Sequence, residues 1–333
     1  MVTYGLRMNA RKGLTDIPGI LVGHATDTGA LTGCTVILTE AGAIGGVCVG
    51  GSATGTEELA ALEPGHVAGR VHAVVLAGGS AFGLEAASGV RRYLERKGVG
   101  FETAAGRVPI VPCAILYDLG IGRADVRPTR EMGEAAAGAA NDGPVEEGAV
   151  GAGAGATVGK LFGIEQAMKS GLGSATVALE GPMAGVRVAA LAVVNAIGDV
   201  VDPRTGTIVA GARVSPESRE FTDTAHQMKR GASGGFRPEN TTLVVVATNA
   251  QLARIEARKL AELASLGMAR TINPVNTMSD GDIVIALSLG AERAPIDALG
   301  VAAAEAVAEA ILRAVRLAPT LGGLPGLASV TPA

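Results

Sequence analysis

The chain has 333 residues, 48% of them hydrophobic and 18% charged, which is enough apolar side chain to bury a large core and too little charge for a disordered polymer. A formal net charge of -4 with no Lys/Arg stripe, and 2% aromatics with no Trp, supply neither a grip on phosphate backbones nor a stacking platform for bases. Nucleic acid is therefore excluded as a partner.

In chain order, the opening residues MVTYGLRMNARKGLTD lack the apolar core of a secretory signal. No later apolar run reaches membrane-spanning length free of glycine and charge, so a soluble, cytoplasmic protein with no membrane partner is expected. Strand patterns fall at Cys34–Thr39, Gly46–Gly50 and Ala73–Ala77, followed by a helical period over 84–98. A strand at Ile110–Tyr117 precedes a second helical period over 129–142. Strands at Ala175–Leu179, Val186–Val194 and Thr207–Ala212 lead to a helical period over 215–231. A strand at Leu243–Thr248, a helix over 250–267, a strand at Ile283–Ser288 and a helix over 299–318 follow. Strands thus arrive in runs between narrow, alanine-rich helices, which predicts layered α/β packing around a largely antiparallel or mixed sheet rather than a doubly wound one. The polar stretch after Arg213 through Glu239 reads as the most linker-like part.

Cys34, Cys48 and Cys113 lie in apolar runs without a C-x-x-C pair and read as buried reduced thiols. The glycine-rich VGAGAGATVGKLFG (150–163) lacks the spacing of a Walker loop: Ala154 stands where that loop needs glycine, and Leu161 follows the lysine. The same stretch is no dinucleotide fingerprint either, because no buried strand precedes it. Its glycines instead let backbone approach something closely, with Lys160 aimed at it among Val158, Leu161 and Phe162. A lysine is more often an ordinary surface residue, but that apolar setting lowers an amine's pKa and fits it for proton transfer or electrostatic duty.

Other polar residues stand where apolar ones are expected. Asn195 interrupts VRVAALAVVNAIGDVVD (186–202), where an amide must be hydrogen-bonded or face a site. Tyr117 ends an apolar strand pattern. Asp280 and Asp282 flank a glycine just before a strand, either as turn chemistry or as a carboxylate pair orienting a neighbour. His24, His66, His72 and His226 have no ligand spacing, so no metal and no cofactor are expected. Thr241 opens the buried run Leu243–Ala247 at a strand's first exposed position. It is either an ordinary strand residue or, if the Asn240–Thr241 bond is cut, a nucleophile whose own α-amine, with a reference pKa of roughly 7.7–8.0, serves as base.

Seven segments taken together, LTDIPGILVGHATD, VVLAGGSAFGLEAASGV, VPCAILYDL, AGATVGK, LAVVNAIGDVVDP, ENTTLVVVATNA and INPVNTMSDGDIVIAL, resemble one family in order from about Thr15 to Leu317. It comprises the self-processing aminopeptidases, β-aminopeptidases and nylon-oligomer hydrolases often called P1-family peptidases. The resemblance implies a single domain over 1–333, folded as a four-layer α/β/β/α sandwich that resembles N-terminal nucleophile hydrolases with different connectivity. It further implies autocleavage between Asn240 and Thr241 into an α chain 1–240 and a β chain 241–333, with assembly as tetramers of the cleaved unit. Thr241 would be the nucleophile, Lys160 its neighbour, Asn195 and Tyr117 the holders of the oxyanion, and Asp280 and Asp282 the supporting pair. Threonine and paired aspartates bring the chain nearer to the nylon-oligomer hydrolases than to the aminopeptidases, which often carry serine with serine and glutamate.

The expected activity is hydrolysis of short peptides or linear aliphatic oligoamides through an acyl-enzyme. The alternatives are an acyltransferase of the ornithine acetyltransferase type and an uncleaved, non-catalytic member.

Overall fold

The computed structural model describes residues 12–233 and 239–328. The opening segment, residues 1–11, and part of the linker-like stretch, residues 234–238, lie outside the described residues. The first half of the described chain carries β1 (Leu21–Asp27), β2 (Thr32–Val49), β3 (Thr56–Glu57), β4 (Val71–Ala77), α1 (Ala86–Arg96), β5 (Phe101–Thr103), β6 (Gly106–Val108), β7 (Cys113–Ile115) and α2 (Arg130–Ala139). Next come β8 (Thr157–Val158), β9 (Met168–Lys169), β10 (Leu172–Ala178), β11 (Arg187–Asn195), β12 (Asp199–Asp202), β13 (Thr207–Ala210) and α3 (Thr224–Lys229). The last stretch holds β14 (Thr241–Ala250), α4 (Arg254–Thr271), β15 (Ile272–Asn273), β16 (Ile283–Glu292) and α5 (Ile296–Arg316).

The main sheet runs β10-β11-β14-β16-β2-β4-β7-β3, with β1 also on β2. It is mixed: β14–β16 and β4–β7 are parallel, and the other pairs are antiparallel. Its two halves share β2. Residues 32–38 of that strand pair with β1 and β4, and residues 44–49 pair with β16. Between them the register breaks at Gly42, whose φ of 80° only glycine adopts without strain.

The bend folds the two halves face to face, and side-chain alternation separates three layers of core. Val74 and Leu76 of β4 meet Leu243, Val245 and Ala247 of β14 between the half-sheets. Ala73, Val75 and Ala77 point outward to Ala86, Val90 and Leu94 of α1 and Ala136 and Ala137 of α2. On the opposite outside, Val244 and Val246 pack against Leu260 and Ala264 of α4 and Val307 and Ile311 of α5. The result is the predicted α/β/β/α stack. In β14, Leu243 to Val246 are each no more than 1% exposed. Each such side chain contributes about 1.5–3 kcal/mol over exposure, and a one-residue slip would exchange both faces, so the start of β14 is firmly fixed.

Several sequence readings change. Cys34–Thr39 and Gly46–Gly50 are parts of one strand, β2, joined through the Gly42 bend, and β1 went unpredicted because its face is only half-buried. Of Ile110–Tyr117, only Cys113–Ile115 is strand, since Pro112 cannot donate to a ladder. The helix read over 215–231 shrinks to α3. The chain before it turns back on itself, the Val214 N–H donating to the Glu220 carbonyl and the Thr222 N–H to the Ala212 carbonyl, and the Asp223 side chain caps the helix by accepting the His226 N–H. Cys34 and Cys113 are buried, as expected, but Cys48 is half-buried.

Candidate active site

Three strand ends meet at one edge of the sheet. Thr241, the first residue of β14, lies opposite Asn195, the last of β11, while on the other side β16 begins just after the turn that carries Asp280 to Asp282. Thr241 is not at an exposed position as expected: it is 4% exposed, roofed by this turn and by the chain that precedes it. The Asn240 carbonyl oxygen accepts the Gly281 N–H at 2.7 Å and the Thr241 hydroxyl at 2.5 Å. The turn is held from behind, because the Asp282 carbonyl accepts the N–H groups of Gly50 and Gly51, and the Asp280 carbonyl accepts that of Ala53. Position 281 has no room for a side chain. A Cβ there would stand 2.6 Å from the Ala53 carbonyl oxygen and 2.8 Å from Thr241 Oγ1.

Asn195 is completely buried and uses both ends of its amide. Its Oδ1 accepts Lys160 Nζ at 2.7 Å, Thr157 N–H at 3.1 Å and the Thr157 hydroxyl at 3.3 Å. Its Nδ2 donates to the Tyr117 carbonyl at 3.0 Å and the Glu239 carbonyl at 3.3 Å. Lys160 Nζ donates in addition to the Asn195 carbonyl at 3.0 Å and the Glu239 carbonyl at 3.5 Å. Burial lowers the Lys160 ammonium to about 7, against the raising influence of Asp280, Glu239, Asp282 and Asp118. The glycine-rich segment delivers this lysine by backbone hydrogen bonds from Gly159 N–H to the Gly198 carbonyl and from Lys160 N–H to the Ile197 carbonyl.

Asp280 and Asp282 are each 1% exposed and act as acceptors for backbone. Asp282 takes the Thr242 N–H at 2.6 Å and the Asn276 N–H at 2.9 Å. Asp280 takes the Thr277 N–H at 3.0 Å, the Thr277 hydroxyl at 2.6 Å and the Ile197 N–H at 3.5 Å. Burial raises both carboxyls, and the neighbouring Asp280 raises Asp282 further. The pair therefore ties β14, the turn and the end of β11 into one frame around the Asn240–Thr241 bond. Tyr117 is half-buried in the wall of a cleft of about 190 Å³, shared with Asp118, Lys160, Leu161, Glu239 and Asn240. It is the Tyr117 carbonyl that touches Asn195; burial and then the charges of Glu239 and Asp118 raise its phenol.

Four features were not read from the sequence. Gly281 was passed over as turn chemistry, although a glycine between two buried acids signals close backbone approach. Glu239 falls at the end of the linker-like stretch. Asp118, next to the predicted Tyr117, is buried and bonded to the Thr32 hydroxyl and the Gly79 N–H. Lys169 is fully buried, its ammonium on the carbonyls of Gly153, Ala156 and Ser170 at 2.5–3.2 Å, where it pins the glycine-rich segment from beneath. No sequence pattern marked it. Among the described residues no grouping of three His, Cys, Asp or Glu could hold a metal ion, and no helix is long and apolar enough to cross a membrane.

The layered fold is shared with a known hydrolase. A solved structure of the L-aminopeptidase D-Ala-esterase/amidase of Ochrobactrum anthropi, described as a variant of the Ntn hydrolase fold, superposes with a TM-score of 0.71 at 22% identity, covering 94% of this chain and 88% of that one. The molecule accordingly has that fold. An uncharacterized aminopeptidase of Mycobacterium leprae is 38% identical over all of this chain and 97% of its own length. A 6-aminohexanoate-oligomer endohydrolase of an Agromyces strain is 30% identical over 90% of this chain and 84% of its own. The model of peptidase family S58 matches residues 12–328. The chain belongs to peptidase family S58 and is a hydrolase of peptide or amide bonds.

Proposed function

We propose that the protein cuts itself between Asn240 and Thr241 and then works as an N-terminal threonine amidase. One observation carries the reading: the Asn240 carbonyl oxygen accepts both the Gly281 N–H and the hydroxyl of the very next residue. In the first step Thr241 Oγ adds to the Asn240 carbonyl carbon, its proton passing to neutral Lys160, whose pKa of about 7 leaves a free amine near neutrality. The oxyanion is met by the Gly281 N–H. The C–N bond breaks, Lys160 returns the proton to the departing Thr241 amine, and an ester remains. Water hydrolyses that ester, leaving a carboxylate on Asn240 and a free hydroxyl and amine on Thr241.

In turnover the substrate carbonyl takes the place of Asn240. Thr241 Oγ attacks it, the Thr241 α-amine carries the proton to the leaving amine, and water releases the acyl group. Asn195 Nδ2, which donates to the Glu239 carbonyl in the intact chain, then faces the acyl moiety beside Gly281, with the Tyr117 phenol on the cleft wall. Asp280 and Asp282 fix the backbone that holds these donors. The substrates are short peptides with a free N-terminus or linear aliphatic oligoamides, which suit a narrow cleft walled by Leu161, Ile121 and glycines. The working form is a cytoplasmic oligomer, a tetramer of cleaved units.

The test incubates processed protein and its Thr241→Ala variant with amino-acid p-nitroanilides and, separately, with linear aminohexanoate oligomers. Release of amine from either set by the parent alone supports the reading. No release from fully cleaved protein moves the assignment to acyl transfer.

A further inference from the structure

We infer that the processed enzyme is held in check by its own α-chain end, with Glu239 and Asn240 remaining in the acyl half of the cleft as a bound product. This inference rests on the proposed cleavage at Asn240. In the intact chain both residues line the cleft and take up its donors: the Glu239 carbonyl accepts Asn195 Nδ2 and Lys160 Nζ, and the Asn240 carbonyl accepts the Gly281 N–H. The Asn240 side chain is also tied down, its Nδ2 donating to the Ser279 carbonyl at 3.2 Å. Hydrolysis of the ester breaks none of these contacts. It adds a second carboxylate oxygen at Asn240 and a new amine at Thr241, so donor groups surround the freed carboxylate. The acids Asp118, Asp280 and Asp282 and the Glu239 side chain oppose that charge, while Lys160 and the Thr241 ammonium favour it. Hydrogen bonds and tethering therefore decide the balance.

The tether is short and firmly anchored. Asp199, 1% exposed, accepts the Ala212 N–H at 2.8 Å, the Thr224 N–H at 2.6 Å and the Thr224 hydroxyl at 2.7 Å, which fixes the start of α3 after cleavage as before. From Lys229, the last residue of α3, the chain has only the span to Asn240 in which to escape. A segment tethered over so few residues presents itself at an effective concentration on the order of millimolar, so even a weak product contact competes with substrate.

The experiment removes the last two α-chain residues from processed enzyme with carboxypeptidase, verified by intact mass, and reads two quantities. The KM for a p-nitroanilide or an oligoamide should fall at least about threefold with kcat unchanged, because an intramolecular competitor raises only KM. A fluorescein-labelled peptide ending in Arg-Pro-Glu-Asn with a free carboxylate should bind the trimmed enzyme by anisotropy more tightly than the untrimmed. Its C-terminal amide should bind less well. Where the end resists the carboxypeptidase, a Gly/Ser insertion between Gly231 and Ala232 that doubles the distance from Lys229 to Asn240 should lower KM about threefold, as the roughly -3/2 power of tether length requires. Equal KM and equal peptide binding before and after trimming overturn the inference while leaving the proposed hydrolysis intact. If no amide is turned over, anisotropy alone decides, so failure of the hydrolase reading is separable from failure of tail docking.

Discussion

Gly281→Ala is the most discriminating substitution at the site. Its backbone φ lies outside the left-handed region, so alanine introduces no strain of its own, and the effect is confined to the added methyl. That Cβ would stand 2.8 Å from Thr241 Oγ1, where ordinary contact begins at 3.4 Å, so the two must separate by about 0.6 Å. Its other neighbour, the Ala53 carbonyl oxygen at 2.6 Å, belongs to backbone that is itself bonded to the turn, so the turn carrying Gly281 must shift as well, which draws its N–H away from the Asn240 carbonyl. Misplacing a reacting atom by about 1 Å costs on the order of 100-fold, and loss of an oxyanion donor costs roughly 100- to 1,000-fold or about 2.7–4 kcal/mol. Processing of freshly synthesised Gly281→Ala protein, followed as conversion of one band to two on denaturing gels, should therefore slow by about 100-fold or more. Its thermal unfolding should fall below that of Thr241→Ala protein, because the methyl meets main chain at Ala53, and the processing rate is read on the protein that remains folded. Cleavage at the parent rate in a folded variant refutes the role given to this N–H and to the spacing around it.

Further outcomes follow from the same geometry. Thr241→Ala should remain a single inactive chain, whereas Thr241→Ser, which keeps the hydroxyl, should still split; intact mass distinguishes them. Lys160→Met should slow both processing and turnover while folding survives, because the stem's apolar volume is kept. In the Thr241→Ala background the lysine also leaves a stability signature. Its folded pKa of about 7 lies below the ordinary lysine value of 10.5, so the unfolded chain binds the extra proton between those limits and stability rises with pH across them, by at most about 1.4 kcal/mol per pH unit. Urea midpoints measured from pH 7 to 10 should rise less steeply in Lys160→Met than in its parent, both proteins keeping the contribution of Lys169, which burial likewise lowers to about 7; an identical pH dependence in both proteins contradicts burial of the Lys160 ammonium. Burial raises all three thiols, Cys34 to about 12, but only Cys48 is half-exposed, so a thiol reagent applied to native protein should label Cys48 alone, as counted by mass.

Layered α/β packing was legible in the sequence because the unbroken apolar runs of β4 and β14 and the alanine-rich periods of α4 and α5 are local patterns, whereas the four-layer order was implied by the family resemblance. The Gly42 bend was not, since a bulge that lets one strand serve two half-sheets depends on partners far along the chain. Polar residues in apolar runs pointed to Asn195 and Lys160, and the structure brings both to the Glu239 carbonyl, one residue before the Asn240–Thr241 bond. Asp280 and Asp282 were equally visible, yet their bonds to the Thr242 and Ile197 N–H groups, which mark them as holders of backbone, come only from the fold. Gly281 and Glu239 act through main-chain atoms that every residue possesses, so no residue type advertises them. Lys169 was hidden for a related reason: its partners are three carbonyls brought together by tertiary packing.

The central claim is that Thr241 becomes an N-terminus. Intact mass spectrometry of the purified protein, followed by N-terminal sequencing of each chain, tests it most directly. The account predicts an α chain ending at Asn240 and a β chain beginning Thr-Thr-Leu-Val-Val, both absent from the Thr241→Ala protein. A single chain of 33.1 kDa after prolonged incubation at neutral pH, or a cut at any other bond, would contradict it.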